Sequence, residues 1–177
     1  RIGQAIAHKL QHGFDCRISY HSRHPKADAP STYTYYDNLE HLARDVDCLI
    51  CICPGGAATK HMVNEAVLNA LGSDGILINV ARGSVVDETA LIAALQQGRL
   101  ARAGLDVFEH EPFVPPALQA LSNTVLLPHM GSATIETRLA MGQLTLDNLV
   151  QYDQDGTVLT PVPECASYAK ITTPKTE

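Results

Sequence analysis

Short apolar runs that alternate with helical patterns constrain the fold of this 177-residue chain more than any other feature. Runs typical of buried strands occupy residues 48–53 and 76–81, and a helical pattern follows each of them, at residues 59–71 and 88–97. Continuous apolar strands are typical of a sheet that is covered on both faces. The regular alternation predicts an α/β fold with a doubly wound parallel sheet and right-handed crossovers.

Two further apolar runs have informative ends. Residues 104–108 and 124–128 predict short strands, and polar residues follow each of them. In an open parallel sheet, ligands bind outside the carboxyl ends of the strands. We therefore expect Glu111 and His129, which follow these runs, to face one crevice. A carboxylate beside an imidazole orients the ring and favours its charged form, so His129 is a candidate general acid.

A third candidate, Arg82, follows the run at residues 76–81. Its planar guanidinium offers a fork of donors that matches a substrate carboxylate. Glu109 competes with Glu111 as the partner of His129. Arg82, Glu111 and His129 together predict a catalytic site at the ends of three strands.

Two segments carry a resemblance to a known family: INVARGSVVDETALIAALQQGRLARAGLDVFEHEP at residues 78–112 and LLPHMGSAT at residues 126–134. They resemble the signature of the D-2-hydroxyacid dehydrogenase family, within which the glyoxylate/hydroxypyruvate reductases are most similar. The resemblance covers residues 1–152. It implies a Rossmann-type NAD(P)-binding domain, and an oxidoreductase that reduces a small 2-oxo acid to the D-2-hydroxy acid. The family's habit further implies a homodimer.

The same resemblance implies a role for each catalytic candidate. Arg82 holds the substrate carboxylate and polarises the carbonyl oxygen. His129, charged through Glu111, protonates that oxygen, while a nicotinamide cofactor delivers hydride to the carbonyl carbon. Pro112 favours Glu111 over Glu109, because the family has a Glu-Pro pair at this place.

The chain opens inside an element, since residues 2–10 already carry a helical apolar stripe. We expect Gly13 to end this helix. Gly3 fits the third glycine of the dinucleotide fingerprint G-x-G-x-x-G, and the resemblance makes Arg1, Ile2 and Gly3 cofactor contacts. On this interpretation the first strand is missing, and the chain is a fragment that is inactive by itself.

A division into two parts follows from this interpretation. Residues 1–152 form a dinucleotide-binding domain that is incomplete at its N-terminus, and its last helix is predicted at residues 134–152. Residues 153–177 turn polar and proline-rich, which predicts a linker or tail toward an absent substrate domain.

The residues after the next predicted strand bear on the choice of cofactor. In an NAD-binding unit, an acidic residue about 20 positions past the glycines binds the ribose 2′-hydroxyl. Here that place reads His21-Ser22-Arg23, without a carboxylate. Arg23 and Ser22 could instead hold a 2′-phosphate, which predicts NADP(H) in preference to NAD(H). The alternative is a solvated basic turn.

The resemblance implies further cofactor contacts, which are Cys53, Pro54, Thr59, Val80, Ala81, Asp106 and Gly131. Pro54 is equally typical of an ordinary loop that ends a strand, with no role in cofactor binding. Asp106 either ends its strand or faces the nicotinamide carboxamide, and the sequence leaves both interpretations open.

Charge and cysteine content argue against several classes of protein. The formal net charge is −6, and the 13 lysines and arginines form no run, so we expect no nucleic-acid or membrane partner. Five cysteines, three of them within residues 48–53, favour buried thiols in a reducing, cytoplasmic compartment over a metal site. His8 and His12 have helical i, i+4 spacing without a third ligand, which favours a solvated face. His61 has no partner pattern.

Two alternatives to glyoxylate or hydroxypyruvate reduction stay open. One is another branch of the family, acting on phosphoglycerate, lactate or formate. The other is a nucleotide-sensing corepressor that keeps Arg82, Glu111 and His129 without turnover. Measured turnover of 2-oxo acids by the complete protein discriminates between them.

Overall fold

A computed structural model describes residues 2–162 and Ala166. Two compact units divide the chain, Arg1–His129 and Met130–Glu177. Among the described residues, every strand belongs to the first unit, and the second unit contains one long helix. The predicted division into a dinucleotide-binding domain over residues 1–152 and a linker or tail over residues 153–177 stays a prediction.

All six strands of the described chain run parallel to their neighbours, as the alternation of elements predicts. They are β1 (Ser19–His21), β2 (Thr34–Tyr36), β3 (Cys48–Cys51), β4 (Ile76–Asn79), β5 (Arg102–Leu105) and β6 (Thr124–Leu126). The strands form two sheets, of order β1-β2 and β3-β4-β5-β6. A doubly wound sheet of order 3-2-1-4-5-6 has its first strand between these two sets. The break between the two sheets lies at the position of the first strand in that order.

Six α-helices lie in the described chain. They are α1 (Ile2–Phe14), α2 (Leu39–Arg44), α3 (Glu65–Leu71), α4 (Glu88–Gln96), α5 (Pro116–Gln119) and α6 (Ile135–Asp155). Short 3₁₀ turns occupy Ala57–Thr59 and Gly83–Val85. The helical pattern after β4 is confirmed as α4, whose cap is the Asp87 carboxylate, because it accepts a hydrogen bond from the Ala90 backbone N–H at 3.0 Å.

The predicted helix over residues 59–71 is wrong in its first half. Residues 61–63 run instead beside the segment after β4, where Val63 pairs with Val86 in a parallel bridge. Backbone hydrogen bonds of 3.0 and 2.9 Å hold the N–H and the carbonyl of Val63 in this pairing. The chain therefore turns at residues 60–62 and pairs at Val63, and α3 begins only at Glu65.

The other differences are shifts of element ends. α1 passes through Gly13, which does not end it as predicted, and stops at Phe14. Asp15 then turns the chain with a φ of 55°. The strands predicted over residues 76–81 and 104–108 end earlier, so their last residues belong to loops.

The second unit consists, in its described part, of α6 and the turn that follows it. α6 ends at Asp155, later than the predicted residue 152, and Gly156 terminates it with a φ of 75° in the left-handed region. Within residues 2–162, no helix combines the length and the apolar character that a membrane span requires. The predicted tail over residues 163–177 lies outside the described residues, except for Ala166.

The core of the first unit joins the four-stranded sheet to helices α2, α3 and α4. Its fully buried large side chains include Leu68 in α3, Leu77 in β4 and Leu91 in α4. Burying each of them stabilises the fold by about 1.5–3 kcal/mol relative to an exposed side chain. This packing fixes the strand ends from which the candidate site projects.

Candidate active site

The loops that follow β3, β4, β5 and β6 lie at one edge of the sheet, because parallel strands all end on the same side. Three of these loops carry the predicted catalytic residues. Arg82 follows β4, Glu111 follows β5 and His129 follows β6. The packed core beneath therefore fixes the origin of each loop.

Glu111 and His129 form a hydrogen-bonded pair. Glu111 Oε2 and His129 Nδ1 are 2.6 Å apart, and the Phe108 backbone N–H donates to Glu111 Oε1 at 3.0 Å. An ionised carboxylate only accepts hydrogen bonds, so Nδ1 carries the proton of this bond, and Nε2 is left for a second partner. The side chains of His129 and Glu111 are 44% and 34% exposed, which leaves the pair within reach of a ligand.

Glu111 is held in its ionised form. Partial burial is the largest single effect and raises the pKa of Glu111, but the hydrogen bonds from His129 and the Phe108 N–H and the charges of His129 and Arg82 together outweigh it. The net pKa of Glu111 lies below the ordinary carboxyl value. At neutral pH Glu111 is therefore an acceptor that fixes the orientation of the His129 ring.

The backbone of His129 is also unusual. Its φ of 50° lies in the left-handed region, which non-glycine residues seldom adopt. Just before it, the Leu127 N–H donates to the Leu105 carbonyl at 2.8 Å and extends the pairing of β5 with β6. Such conformations persist where the surroundings fix them, and they cluster at functional sites.

Arg82 is exposed, and Asn79 anchors its loop. Asn79 is buried; its Oδ1 accepts from the Ala81 N–H, and its Nδ2 donates to the Arg82 carbonyl, both at 3.0 Å. Arg82 Nη1 donates to the Ala81 carbonyl at 2.6 Å, which orients the guanidinium. Sequence reasoning missed Asn79, whose only signal is a polar side chain at the end of an apolar strand.

Two glycines determine how closely the loops pack. A Cβ at Gly55 would lie 2.8 Å from Arg82 Cγ, so the loop after β3 contacts the stem of Arg82. A Cβ at Gly83 would lie 1.9 Å from the Phe108 carbonyl carbon, so the loops after β4 and β5 touch directly. The Arg82 loop and the loop that carries Glu111 therefore form one packed edge.

At the N-terminus, Gly3 allows α1 to approach the end of β3 closely. A Cβ at Gly3 would lie 3.3 Å from Ile52 Cγ2, closer than most contacts of this kind. Close packing of a helix on a strand is what the third fingerprint glycine allows, and the assignment of Gly3 to that place stays a prediction. Ile2 is exposed, and Arg1 lies outside the described residues.

The turn His21-Ser22-Arg23 follows β1 and is held by its neighbours. His21 Nδ1 lies 3.0 Å from the Tyr36 carbonyl oxygen. The Ser22 hydroxyl donates to the His24 carbonyl at 2.6 Å, so its proton is already in use. The Arg23 side chain is exposed and makes no hydrogen bond or ion pair with the described residues. Its guanidinium is therefore available to a ligand.

The predicted contacts after β3 lie in one loop. The Thr59 hydroxyl donates to the Pro54 carbonyl at 2.8 Å and closes this loop. Cys53 is half-buried in it, and burial raises the pKa of its thiol. The loop is therefore a fixed wall beside the Arg82 stem.

The last group of predicted contacts lies at the ends of β4 and β5. Val80 is exposed, whereas Ala81 and Asp106 are buried. The Asp106 N–H donates to the Asn79 carbonyl at 3.0 Å, which places Asp106 directly at the end of β5. Gly131 belongs to the second unit.

Residues 1–131 match the family model described as D-isomer specific 2-hydroxyacid dehydrogenase, NAD binding domain. The chain belongs to this family. The resemblance found in the sequence is therefore confirmed, and the fold is of the Rossmann type, in the domain that this family model describes as NAD binding.

Several members of the D-isomer specific 2-hydroxyacid dehydrogenase family that are similar to this chain are named as reductases. The chain is 49% identical over 162 residues to the hydroxyphenylpyruvate reductase of Plectranthus scutellarioides, and equally so to the glyoxylate/hydroxypyruvate reductase A of Arabidopsis thaliana. Each alignment covers 92% of this chain and 51% of the relative. The chain thus spans about half the length of the curated relatives it matches.

A solved structure shows the same likeness. The NADPH-dependent glyoxylate/hydroxypyruvate reductase of Sinorhizobium meliloti, in complex with NADP and malonate, is 52% identical with a TM-score of 0.87. The superposition covers 92% of this chain and 50% of that one. The D-mandelate dehydrogenase of Rhodotorula graminis is more distant, at 36% identity and a TM-score of 0.80, and covers 89% of this chain and 47% of that one.

Two features of the described residues suit a dinucleotide cofactor: the close approach of α1 at Gly3, and the Arg23 side chain, which has no partner among the described residues. Within residues 2–162, no three His, Cys, Asp or Glu side chains converge as a metal site requires. His8 and His12 lie on an exposed face of α1, with ring centroids 4.4 Å apart.

Sequence reasoning missed a second histidine–glutamate pair at this edge. His61 Nε2 and Glu109 Oε1 are 2.8 Å apart, and the side chains are 35% and 19% exposed. The prediction that His61 lacks a partner is therefore wrong. The two glutamates therefore have different partners: Glu109 pairs with His61, and Glu111 pairs with His129. No sequence spacing reveals it, because 48 positions separate the partners.

Proposed function

We propose that the complete protein is an NADPH-dependent reductase that converts a small 2-oxo acid, of the glyoxylate or hydroxypyruvate type, into the D-2-hydroxy acid. The observation that carries the proposal is the 2.6 Å pair of His129 and Glu111, on an edge that also bears the exposed Arg82. An oriented general acid near a guanidinium suits a carbonyl that stands next to a carboxylate.

Each catalytic side chain acts through a stated atom. The Arg82 guanidinium binds the substrate carboxylate and polarises the carbonyl oxygen. The Nε2–H of His129 protonates that oxygen as its bond to carbon becomes single. Glu111 accepts from Nδ1–H and stabilises the imidazolium before the proton leaves. In the oxidative direction, neutral His129 takes the proton back.

The cofactor supplies the hydride when it is bound. The region around Gly3 and the loop of Cys53, Pro54 and Thr59 would hold it, and Arg23 would bind the 2′-phosphate that distinguishes NADPH from NADH.

Turnover by the complete protein tests this function. We would compare glyoxylate and hydroxypyruvate with hydroxyphenylpyruvate and 2-ketogluconate, the compounds for which two similar reductases are named. The highest kcat/KM is expected for glyoxylate or hydroxypyruvate. A clear preference for a larger 2-oxo acid would move the protein to another branch of the family. No turnover on any of them would favour a nucleotide-sensing role.

Arg23→Ala is expected to remove the preference for NADPH selectively. A charge-assisted hydrogen bond contributes about 1.5–3 kcal/mol, which corresponds to roughly a ten- to hundredfold advantage in kcat/KM. The measurement is kcat/KM for NADPH and for NADH at constant ionic strength, since salt screens an exposed phosphate contact.

Arg17→Ala is the matched control for this change. Arg17 is exposed and lies just before β1, whereas Arg23 follows that strand, so the control removes the same charge from the other end. It should leave the cofactor preference intact. The proposal for Arg23 fails if the unmodified enzyme uses NADH equally well, or if Arg23→Ala weakens both cofactors alike.

Gly55→Ala is expected to weaken binding of the 2-oxo acid by displacing Arg82. The added Cβ would lie 2.8 Å from Arg82 Cγ and 3.1 Å from its Cβ, so the stem of the side chain must move. We expect KM for the 2-oxo acid to rise by roughly tenfold, because small misplacements of a positioning group are costly. Gly104→Ala is the control, since its Cβ would meet only Ile78, at an ordinary 3.8 Å. An unchanged KM in Gly55→Ala would show that Arg82 does not bind the substrate from this position.

We place the reductase in the cytoplasm and expect a dimer, as the family implies. The four described cysteines are free thiols, which suits a reducing compartment. Burial raises the pKa of the Cys51 thiol to about 12, so this cysteine is an inert core residue. Light scattering on the complete protein measures its oligomeric state.

A further inference from the structure

His61 is bonded to two loops besides its own. Its backbone N–H donates to the Ser84 carbonyl at 2.8 Å, in the loop that carries Arg82. Its Nε2 lies 2.8 Å from Glu109 Oε1, in the loop that carries Glu111. Because His61 itself belongs to the segment after β3, one residue joins three of the loops that build the site.

The backbone fixes where the His61 imidazole lies. His61 has a φ of 50°, in the left-handed region. On one side the Met62 N–H donates to the Thr59 carbonyl at 3.2 Å, and on the other side Val63 is paired with Val86. Backbone bonds on both sides of His61 therefore hold the residue that carries the ring in place.

Glu109 is held from a second direction. Its backbone N–H donates to Glu88 Oε2 at 3.3 Å, and Glu88 begins α4 shortly after the Arg82 loop. The Glu109 side chain is mostly buried, so water screens its bond to His61 less than it screens an ion pair on the surface. Glu109 is therefore held by its side chain to the segment of His61 and by its backbone to the start of α4.

The same segment supports the proton-transfer pair. Phe108, next to Glu109, touches Gly83 through its carbonyl carbon and holds Glu111 Oε1 through its N–H. Any displacement of this segment moves Glu111, and with it the ring of His129. Glu109, which contacts His61, is the residue directly after Phe108.

We propose that the His61–Glu109 pair is a positioning clamp, which holds Arg82 and the Glu111–His129 pair in register with each other. His61 acts through these residues and does not itself transfer a proton to the substrate. The expected rate effects rest on the proposed reductase function, whereas the effect on the His129 ring does not. The two can therefore be tested separately.

Nitrogen NMR of the histidine rings in the complete protein tests the clamp without turnover. We expect the wild-type His129 ring to be protonated at Nδ1, as its bond to Glu111 requires. His61→Leu, which removes the donor at similar volume, should give His129 a mixture of tautomers. His61→Gln should restore the wild-type signal, because its amide can still donate to Glu109. If His61→Leu fails to fold, Glu109→Leu breaks the same bond from the other side.

Kinetics test the consequence for the reductase. His61→Leu is expected to lower kcat roughly tenfold with an unchanged KM for NADPH, since misplaced catalytic groups slow the chemical step. His61→Gln should recover most of that loss. His41→Leu, on an exposed face of α2, is the control and should behave as the wild type.

The outcomes separate the clamp from the proposed function. An unchanged His129 signal in His61→Leu overturns the clamp, and so does an equal loss of kcat in the Leu and Gln variants. If the wild type reduces no 2-oxo acid, the proposed function fails, and the NMR comparison still decides the clamp.

Discussion

Replacement of His129 by Gln is expected to lower kcat for 2-oxo acid reduction by about 10²–10⁴-fold, the usual contribution of a positioned general acid. The Gln amide can donate a hydrogen bond to the carbonyl oxygen, but it cannot release a proton at neutral pH. Binding of the 2-oxo acid should change much less, because Arg82 remains in place. The measurement is kcat and KM of the complete protein at saturating NADPH.

A second variant tests whether the transferable proton of His129 matters when the hydrogen bond to Glu111 is kept. His129→Asn places an amide near the position of Nδ1, where it can keep the bond to Glu111 that spans 2.6 Å in the wild type. We expect the same large fall in kcat, since neither amide has a transferable proton. His41→Gln, on the exposed face of α2, controls for the loss of a histidine. Near-normal turnover in both His129 variants would remove this residue from the mechanism.

The parallel sheet could be predicted because the alternation of strands and helices is written locally in the sequence. Capping is equally local, as the Asp87 bond to Ala90 shows. The start of α3 could not be predicted in this way. There, the pairing of Val63 with Val86 keeps a segment with helical periodicity out of the helix, and partners so distant in sequence leave no local signal.

The candidate catalytic residues could also be predicted from the sequence, because each of them is tied to a strand. Arg82, Glu111 and His129 each follow an apolar strand, and the topology of a parallel sheet brings such residues to one edge. The contacts of Asn79 and His61 could not be predicted from the sequence, because they depend on how closely the loops pack. A histidine that pairs with a glutamate 48 positions away is indistinguishable in sequence from a solvated one.

The cofactor side shows a similar limit. The absence of a carboxylate after β1 can be read directly, and it is the basis for expecting Arg23 to meet a phosphate. The direction of the Ser22 hydroxyl cannot be read. It donates to the His24 carbonyl at 2.6 Å, so Ser22 has no proton left for a phosphate oxygen in this conformation.

Arg82→Gln is expected to lower kcat/KM for the 2-oxo acid by about 10²–10⁴-fold, because two charge-assisted hydrogen bonds to the carboxylate are lost, at roughly 1.5–3 kcal/mol each. Arg82→Lys keeps the charge but loses the planar fork, so we expect an intermediate value. The measurement is kcat/KM of the complete protein for glyoxylate and hydroxypyruvate. KM for NADPH should change little in either variant.

The geometry of Arg82 is the reason for expecting Lys to be a poor replacement. Arg82 Nη1 already donates to the Ala81 carbonyl at 2.6 Å, and this bond fixes the plane of the guanidinium while the other nitrogens stay available. A lysine has one nitrogen for both tasks, so it cannot form the two parallel bonds of the fork to the carboxylate while it keeps the anchor. Wild type, Lys and Gln should therefore rank in that order. A Lys variant as active as the wild type would show that a point charge suffices, and that the fork held by Ala81 has no part in recognition.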